Sequence, residues 1–110
     1  MNIAIELDGV ICTPIRNFVA LDDVDNCEVY PEAQEAITNL KCLNHTIMIY
    51  SSRELSLGPS TELWLQRNKI PYDYLILGKP RYDIFIDRKN YKLIEWSKFF
   101  EDCKYRIHNS

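Results

Sequence analysis

Short apolar runs that end abruptly in glycine or polar residues recur along the chain, at residues 3–7, 45–50, 74–77 and 84–86. Runs of this length, rich in β-branched residues, predict strands rather than helices. The run 3–7 stops at Asp8-Gly9 and is apolar almost throughout. It therefore predicts a strand that is buried on both faces and lies at the centre of a sheet.

Helical spacing of apolar residues fills two of the intervals between these runs. We expect a helix over residues 30–42, because Pro31 suits the first helical position and an apolar stripe follows it. A second helix is predicted from Ser60 or Thr61 to about Asn68. The residues expected on the inner faces are Ala33, Ala36, Ile37 and Leu40 in the first helix, and Leu63 and Trp64 in the second.

The rest of the chain contains one long loop, a last helix and a tail. Residues 10–29, which include Pro14 and the acidic run 22–25, predict a loop with one short hairpin. The tail 103–110 is expected to fray. A last helix is predicted over residues 91–101, and its apolar side consists of Leu93, Trp96 and Phe100.

This alternation of strands and helices predicts an α/β protein. Continuous apolar strands joined by helices favour a three-layer, doubly wound (Rossmann-like), mostly parallel sheet with right-handed crossovers. A chain of 110 residues has room for one core, so we expect a single domain over residues 1–110.

Charge, targeting features and cysteines narrow the function further. Lys and Arg number 13 and Asp and Glu 16, a formal charge of −3, which argues against partners such as nucleic acid or an anionic membrane. The amino terminus has no secretory signal and no apolar run reaches about 18 residues, so we expect a cytoplasmic protein. The cysteines lack metal-ligand spacing and predict reduced thiols used as small hydrophobic residues: Cys12, Cys27, Cys42 and Cys103.

Polar side chains follow each of the predicted strands. The carboxyl ends of parallel strands lie along one edge of a sheet, where α/β proteins bind their ligands, so we expect these side chains to meet in one crevice. They are Glu6 and Asp8 at the first strand, Ser51, Ser52 and Arg53 at the second, Lys79 at the third, and Asp87 and Arg88 at the fourth.

With these residues the sequence resembles the haloacid dehalogenase superfamily, whose phosphatases carry four short motifs at four strand ends. The matching segments are residues 3–10 (IAIELDGV), 47–51 (IMIYS), 78–80 (GKP) and 84–88 (IFIDR). The resemblance covers about residues 1–100. It is similar in detail to small members linked to capsular and other surface polysaccharide synthesis, which share segments found here at residues 64–65 (WL), 70–73 (IPYD) and 78–80.

The resemblance implies a phosphoryl-transfer site that uses Mg²⁺ and a fold without a separate cap domain. The stretch 11–30 is the segment able to cover the crevice, and it is too short for such a domain. Capless relatives often use a neighbouring subunit as the lid, so a homo-oligomer is an expected partner arrangement. By position, Glu6 would replace the nucleophile, Asp8 would be the acid/base, and Ser51, Ser52, Arg53 and Lys79 would bind phosphate. The metal would be held by Glu6, Asp8 through its backbone carbonyl, and Asp87.

Two residues depart from the family pattern. Glu6 stands where the nucleophilic aspartate is expected, and a carboxylate displaced by about 1 Å can cost about 100-fold in rate. Arg88 stands where a second aspartate is expected, which reduces the local negative charge and predicts weak Mg²⁺ binding.

Two functions stay open: a phosphatase for a sugar phosphate or similar metabolite with impaired hydrolysis, and a noncatalytic phosphate-binding or regulatory protein that keeps the fold.

Overall fold

The computed structural model describes residues 1–15 and 21–80 and, near the carboxyl end, residues 97, 98, 100, 101 and 104. The chain divides into two compact units, Met1–Pro80 and Arg81–Ser110. The predicted strand 84–86 and the site residues Asp87 and Arg88 lie outside the described residues. They stay predictions, as does the single domain over residues 1–110.

Three parallel strands form the sheet described in the first unit: β1 (Asn2–Glu6), β2 (Thr46–Tyr50) and β3 (Tyr74–Ile76). β2 lies between the other two. The parallel α/β class is therefore confirmed, and these three predicted strands are found within one residue of their predicted ends. The central position predicted for β1 depends on a fourth strand outside the described residues and stays a prediction.

One face of the sheet carries the core. Ile47 and Ile49 of β2 are buried, and Ile3 and Ile5 of β1 pair beside them, whereas Ala4 is exposed. The prediction that β1 is buried on both faces is thus wrong. Its burial alternates along the strand, as is usual where one face of a sheet is covered and the other is more open.

The predicted loop 10–29 contains a short helix, α1 (Leu21–Asp25). Within the acidic run, the apolar side chain of Val24 is fully buried in the core and holds this helix against it. The predicted hairpin corresponds to an antiparallel bridge between Cys12 and Val29, which closes this segment at its base.

The second helix, α2 (Ala33–Cys42), ends as predicted but begins later. Glu32 adopts a left-handed φ of 70°, so the helix cannot include Pro31. Ile37 is its buried residue, and Ala36, predicted on the inner face, is exposed.

The third helix, α3 (Gly58–Arg67), follows a 3₁₀ turn at Leu55–Leu57 and begins earlier than predicted. Pro59 lies in its first turn, a favoured place for proline, so Ser60 and Thr61 lie inside the helix rather than cap it. Leu63 is exposed, because the buried stripe follows the i, i+3, i+4 spacing and consists of Thr61, Trp64 and Leu65.

In the second unit the described residues are helical: Ser97, Lys98, Phe100, Glu101 and Lys104. They agree with the helix predicted over residues 91–101 and carry helical structure into the tail that was expected to fray. Phe100 is exposed; Leu93, Trp96 and Cys103 lie outside the described residues, so the predicted apolar side stays a prediction. No described helix combines the length and apolar character needed to cross a membrane.

Candidate functional site

The carboxyl ends of the three described strands meet at one edge of the sheet. The backbone N–H of Ser51 donates to the carbonyl of Ile76 at 2.9 Å, and that of Lys79 donates to the carbonyl of Ser51 at 3.1 Å. Asp8 lies two residues beyond β1 and accepts a hydrogen bond from the Ser51 hydroxyl. The sequence-predicted residues Asp8, Ser51 and Lys79 are thereby brought together.

The carboxylate of Asp8 is surrounded by donors. Arg53 donates from Nε to both carboxylate oxygens at 3.2 Å and from Nη2 to Oδ1 at 2.8 Å. The hydroxyl of Ser51 donates to Oδ2 at 2.6 Å. Each oxygen of Asp8 therefore accepts two hydrogen bonds, which leaves the carboxylate with little remaining acceptor capacity.

The Arg53 guanidinium is fully buried and links several segments of the chain. Besides Asp8, it donates from Nη1 to the Thr61 hydroxyl of α3 at 3.0 Å. Its Nη2 lies 3.5 Å from the sulfur of Cys27 and 4.0 Å from that of Cys12. Every nitrogen of the guanidinium thus has a protein partner, as a buried arginine requires.

These contacts give Arg53 a different place from the predicted one. The resemblance suggested a phosphate ligand, but the side chain is 0% exposed and is directed to Asp8. Ser51 is also buried, and its hydroxyl accepts from the Arg53 backbone N–H at 3.0 Å while it donates to Asp8. In this arrangement both residues hold Asp8 in place.

Two buried thiols complete the cluster. The ligand atoms of Asp8, Cys12 and Cys27 lie within 4.8 Å of one another, a spacing that could hold a metal ion. Nη2 of Arg53, however, contacts all three and fills the space between them. Burial, followed by the neighbouring Cys27 and Asp8, raises the pKa of the Cys12 thiol to about 12. The arrangement fits a guanidinium between neutral thiols better than a metal held by thiolates.

The predicted role of the cysteines as buried reduced thiols holds for Cys12 and Cys27. Cys42 is also a free thiol but is exposed at the end of α2, so it is not a core residue as predicted. The thiols of Cys12 and Cys27 also donate weak hydrogen bonds, to the carbonyls of Leu7 and Asp23 respectively.

Glu6, Lys79 and Ser52 stand beside this cluster. Glu6 ends β1 and pairs in register with Tyr50, so the two side chains share one face of the sheet. Nζ of Lys79 lies 3.9 Å from the centre of the Tyr50 ring, a cation–π contact. Ser52 is half-buried. The backbone N–H groups of Asp8 and Ser52 donate to no acceptor among the described residues.

The described residues supply part of the predicted Mg²⁺ site. Of the three predicted ligands, Asp8 would contribute its backbone carbonyl, its carboxylate being occupied by Arg53 and Ser51, and Asp87 lies outside the described residues. Glu6 is half-buried and accepts no hydrogen bond from a described side chain, so its carboxylate is the one still available. Mg²⁺ commonly binds one or two carboxylates together with water and substrate phosphate, so Glu6 is the described carboxylate that would hold it.

Several residues of the cluster were missed by sequence reasoning. Thr61 was assigned to a helix cap, and Cys12 and Cys27 were assigned to the core without a partner. Nothing in their spacing links them to Asp8, because they contact Arg53 from three separate segments. Tyr50 could have been noticed, since it directly precedes Ser51 at the end of a predicted strand.

Comparison with known proteins shows a shared fold and no named relative. No protein-family model and no curated protein matches the chain. A Vibrio cholerae protein solved by crystallography as an MCSG target is similar in structure, with a TM-score of 0.66 and 18% sequence identity over 96% of this chain and 98% of that chain. At this level of identity the likeness shows the fold alone.

Proposed function

We propose that this protein is a phosphatase-type protein of the haloacid dehalogenase superfamily that binds a small phosphorylated metabolite, such as a sugar phosphate, and hydrolyses it slowly or not at all. In this proposal the chain is one doubly wound domain without a separate cap. The observation that carries it is the meeting of Asp8, Ser51 and Lys79 at neighbouring strand ends.

The local charges and donors support binding of a phosphate group. Asp8 and Arg53 neutralise each other, so Glu6 and Lys79 are the remaining formal charges among the described residues at this edge. The charges of these four residues therefore sum to zero, so a dianionic group meets no excess of negative charge from them. Lys79 and the backbone N–H groups of Asp8 and Ser52 are the donors that we assign to it.

The same contacts support weak hydrolysis. A general acid must donate a proton to the leaving group, and a general base must accept one from water. Asp8 is impaired in both roles while its two oxygens accept from Arg53 and Ser51. At the second catalytic position, Glu6 is one methylene longer than the aspartate of the family pattern. Its carboxylate is therefore displaced from the position that the nucleophile requires.

A hydrolysis assay with a panel of sugar phosphates, with and without Mg²⁺, tests this function. We expect the wild type to be inactive or slow and Glu6→Asp to gain activity, because the shorter side chain restores the nucleophile's position. Glu62→Asp, an exposed glutamate on α3, is the matched control and should gain none. Turnover by the wild type at about 1 s⁻¹ or faster, the lower end for typical enzymes, would show an ordinary phosphatase and contradict the proposal.

A further inference from the structure

The ammonium group of Lys79 lies against an aromatic ring at the end of β2. Its Nζ is 3.9 Å from the centre of the Tyr50 ring, well within the roughly 6 Å over which a ring face attracts a cation. The backbone of Lys79 is fixed at the same place, because its N–H donates to the Ser51 carbonyl at 3.1 Å. Both ends of Lys79 are therefore held by two consecutive residues, Tyr50 and Ser51.

The register of the sheet gives Tyr50 this place. Glu6, Tyr50 and Ile76 are paired across the three parallel strands and form one row. Side chains alternate along a strand, so this row lies on the face opposite the buried Ile49. Tyr50 is the aromatic residue of the row and is half-buried, so its ring is fixed by the sheet while it stays in reach of a side chain at the strand ends.

An aromatic ring acts on an ammonium group differently from a carboxylate. Its electron-rich face attracts the positive charge but carries no formal charge, so the contact orders the lysine without neutralising it. An ammonium group has three N–H donors, and those that do not face the ring can donate to phosphate oxygens. An ammonium group that is ordered before the ligand arrives also loses less conformational entropy on binding.

We propose that Tyr50 is a positioning residue for phosphate binding, and that its ring holds the ammonium group of Lys79 at the strand ends. In this role the ring acts through Lys79 rather than on the phosphate. This inference rests on the function proposed above and adds a residue to the same site.

Calorimetric titration of the full chain with inorganic phosphate tests the role of the ring. Tyr50→Leu should weaken phosphate binding about two- to fivefold, the range expected for one partly exposed cation–π contact. Tyr50→Phe keeps the ring face and should bind phosphate as tightly as the wild type. Tyr74→Leu, which removes an exposed aromatic side chain from the same face of the sheet, is the matched control and should also leave binding unchanged.

NMR spectroscopy tests the contact in the wild type and in Tyr50→Phe, so the result does not depend on whether Tyr50→Leu folds. Protons that lie over the face of an aromatic ring are shifted upfield. The ε-methylene protons of Lys79, assigned by comparison with Lys79→Met, should therefore resonate upfield of those of Lys69, an exposed lysine after α3. Tyr50→Phe should keep this shift.

The response of the wild type to phosphate separates this inference from the function on which it rests. The wild type must bind phosphate for the proposed function to stand. In that case the role of Tyr50 is wrong if the Lys79 protons are unshifted, if Tyr50→Leu binds as tightly as the wild type, or if Tyr50→Phe or Tyr74→Leu weakens binding as much as Tyr50→Leu. If phosphate does not bind the wild type, both are wrong.

Discussion

Arg53 and Asp8 form an ion pair that is almost sealed from water, with side chains 0% and 6% exposed. Removing two charges from water is costly, and a pair of this kind persists because each partner is fully hydrogen-bonded. Thr61, Ser51 and Cys27 supply the remaining contacts. Losing one charge of the pair leaves the other buried without compensation.

We therefore expect Arg53→Met to lower the free energy of unfolding by about 3–5 kcal/mol. Methionine keeps much of the side-chain volume, so the loss comes from the stranded Asp8 carboxylate. Urea denaturation followed by circular dichroism measures it. Arg67→Met, which removes an exposed ion pair with Asp25, is the control and should cost less than about 1 kcal/mol. Equal losses in the two variants would argue against a buried pair.

The environment of the Asp73 carboxyl predicts that the stability of the protein depends on pH. A hydrogen bond from Lys41 and another from the Ile47 backbone N–H lower the pKa of this carboxyl below the ordinary 3.8. A carboxyl with a lowered folded-state pKa stabilises the protein above its unfolded pKa, and this stabilisation disappears as the pH falls through the folded value.

Melting temperatures of the wild type and Asp73→Asn from pH 6 to pH 2 test this sign. The wild type should be more stable above about pH 4, and the difference should shrink as the pH falls below that value. Lys41→Met removes the donor and should show the same convergence with the wild type. A difference that stays constant down to pH 2 would mean that the hydrogen bonds to Asp73 do not depend on its charge.

Helices α2 and α3 end in the same backbone motif. After α3, Lys69 adopts φ 56°, its N–H donates to the Gln66 carbonyl at 3.1 Å, and the N–H of Ile70 donates to the Leu65 carbonyl at 3.0 Å. After α2, Asn44 with φ 66° occupies the equivalent position. This is the Schellman arrangement, in which glycine is favoured and asparagine is tolerated.

Lys69 is therefore strained where Asn44 is not. We expect Lys69→Gly to raise the free energy of unfolding by about 0.5–1 kcal/mol, because glycine adopts the left-handed conformation without a steric cost. Asn44→Gly should change it by no more than a few tenths, about 0.3 kcal/mol. Urea denaturation midpoints distinguish the two. A destabilised Lys69→Gly would show that the lysine side chain contributes contacts that outweigh the strain.

The ends of α2 and the strands were easier to predict than the helix starts. A strand or helix stops where the apolar pattern stops, as at Cys42 and Tyr50, and this is visible locally. A helix start depends on where the preceding chain comes from. Glu32 adopts a left-handed conformation before α2, and the 3₁₀ turn at Leu55–Leu57 leads directly into Gly58. A prediction from capping preferences alone therefore placed the starts of both helices incorrectly.

The chain as a whole should be stabilised by phosphate without a metal. A ligand that binds the folded state alone stabilises it by about 1.4 kcal/mol at ten times its dissociation constant, or several degrees in melting temperature. We expect inorganic phosphate to give such a rise, and Mg²⁺ alone to give little, because Arg53 neutralises the charge of Asp8.

Differential scanning fluorimetry of two lysine variants checks that the rise comes from the proposed site. Lys79→Met should abolish most of it, because the ammonium group that we assign to phosphate is lost. Lys98→Met, an exposed lysine in the second unit, should keep it. A rise of equal size in both variants would indicate a general salt effect.

The sequence alone determined the parallel α/β class and the gathering of Asp8, Ser51 and Lys79 at one edge, because apolar runs and the polar residues that end them are local features. Only the tertiary structure decided what these residues do to one another. Arg53 looked like a ligand for an anion from solvent, and it became the partner of Asp8 because Thr61 and Cys27 surround it from distant segments. Burial is set by the packing of those segments, and no spacing along the chain records it.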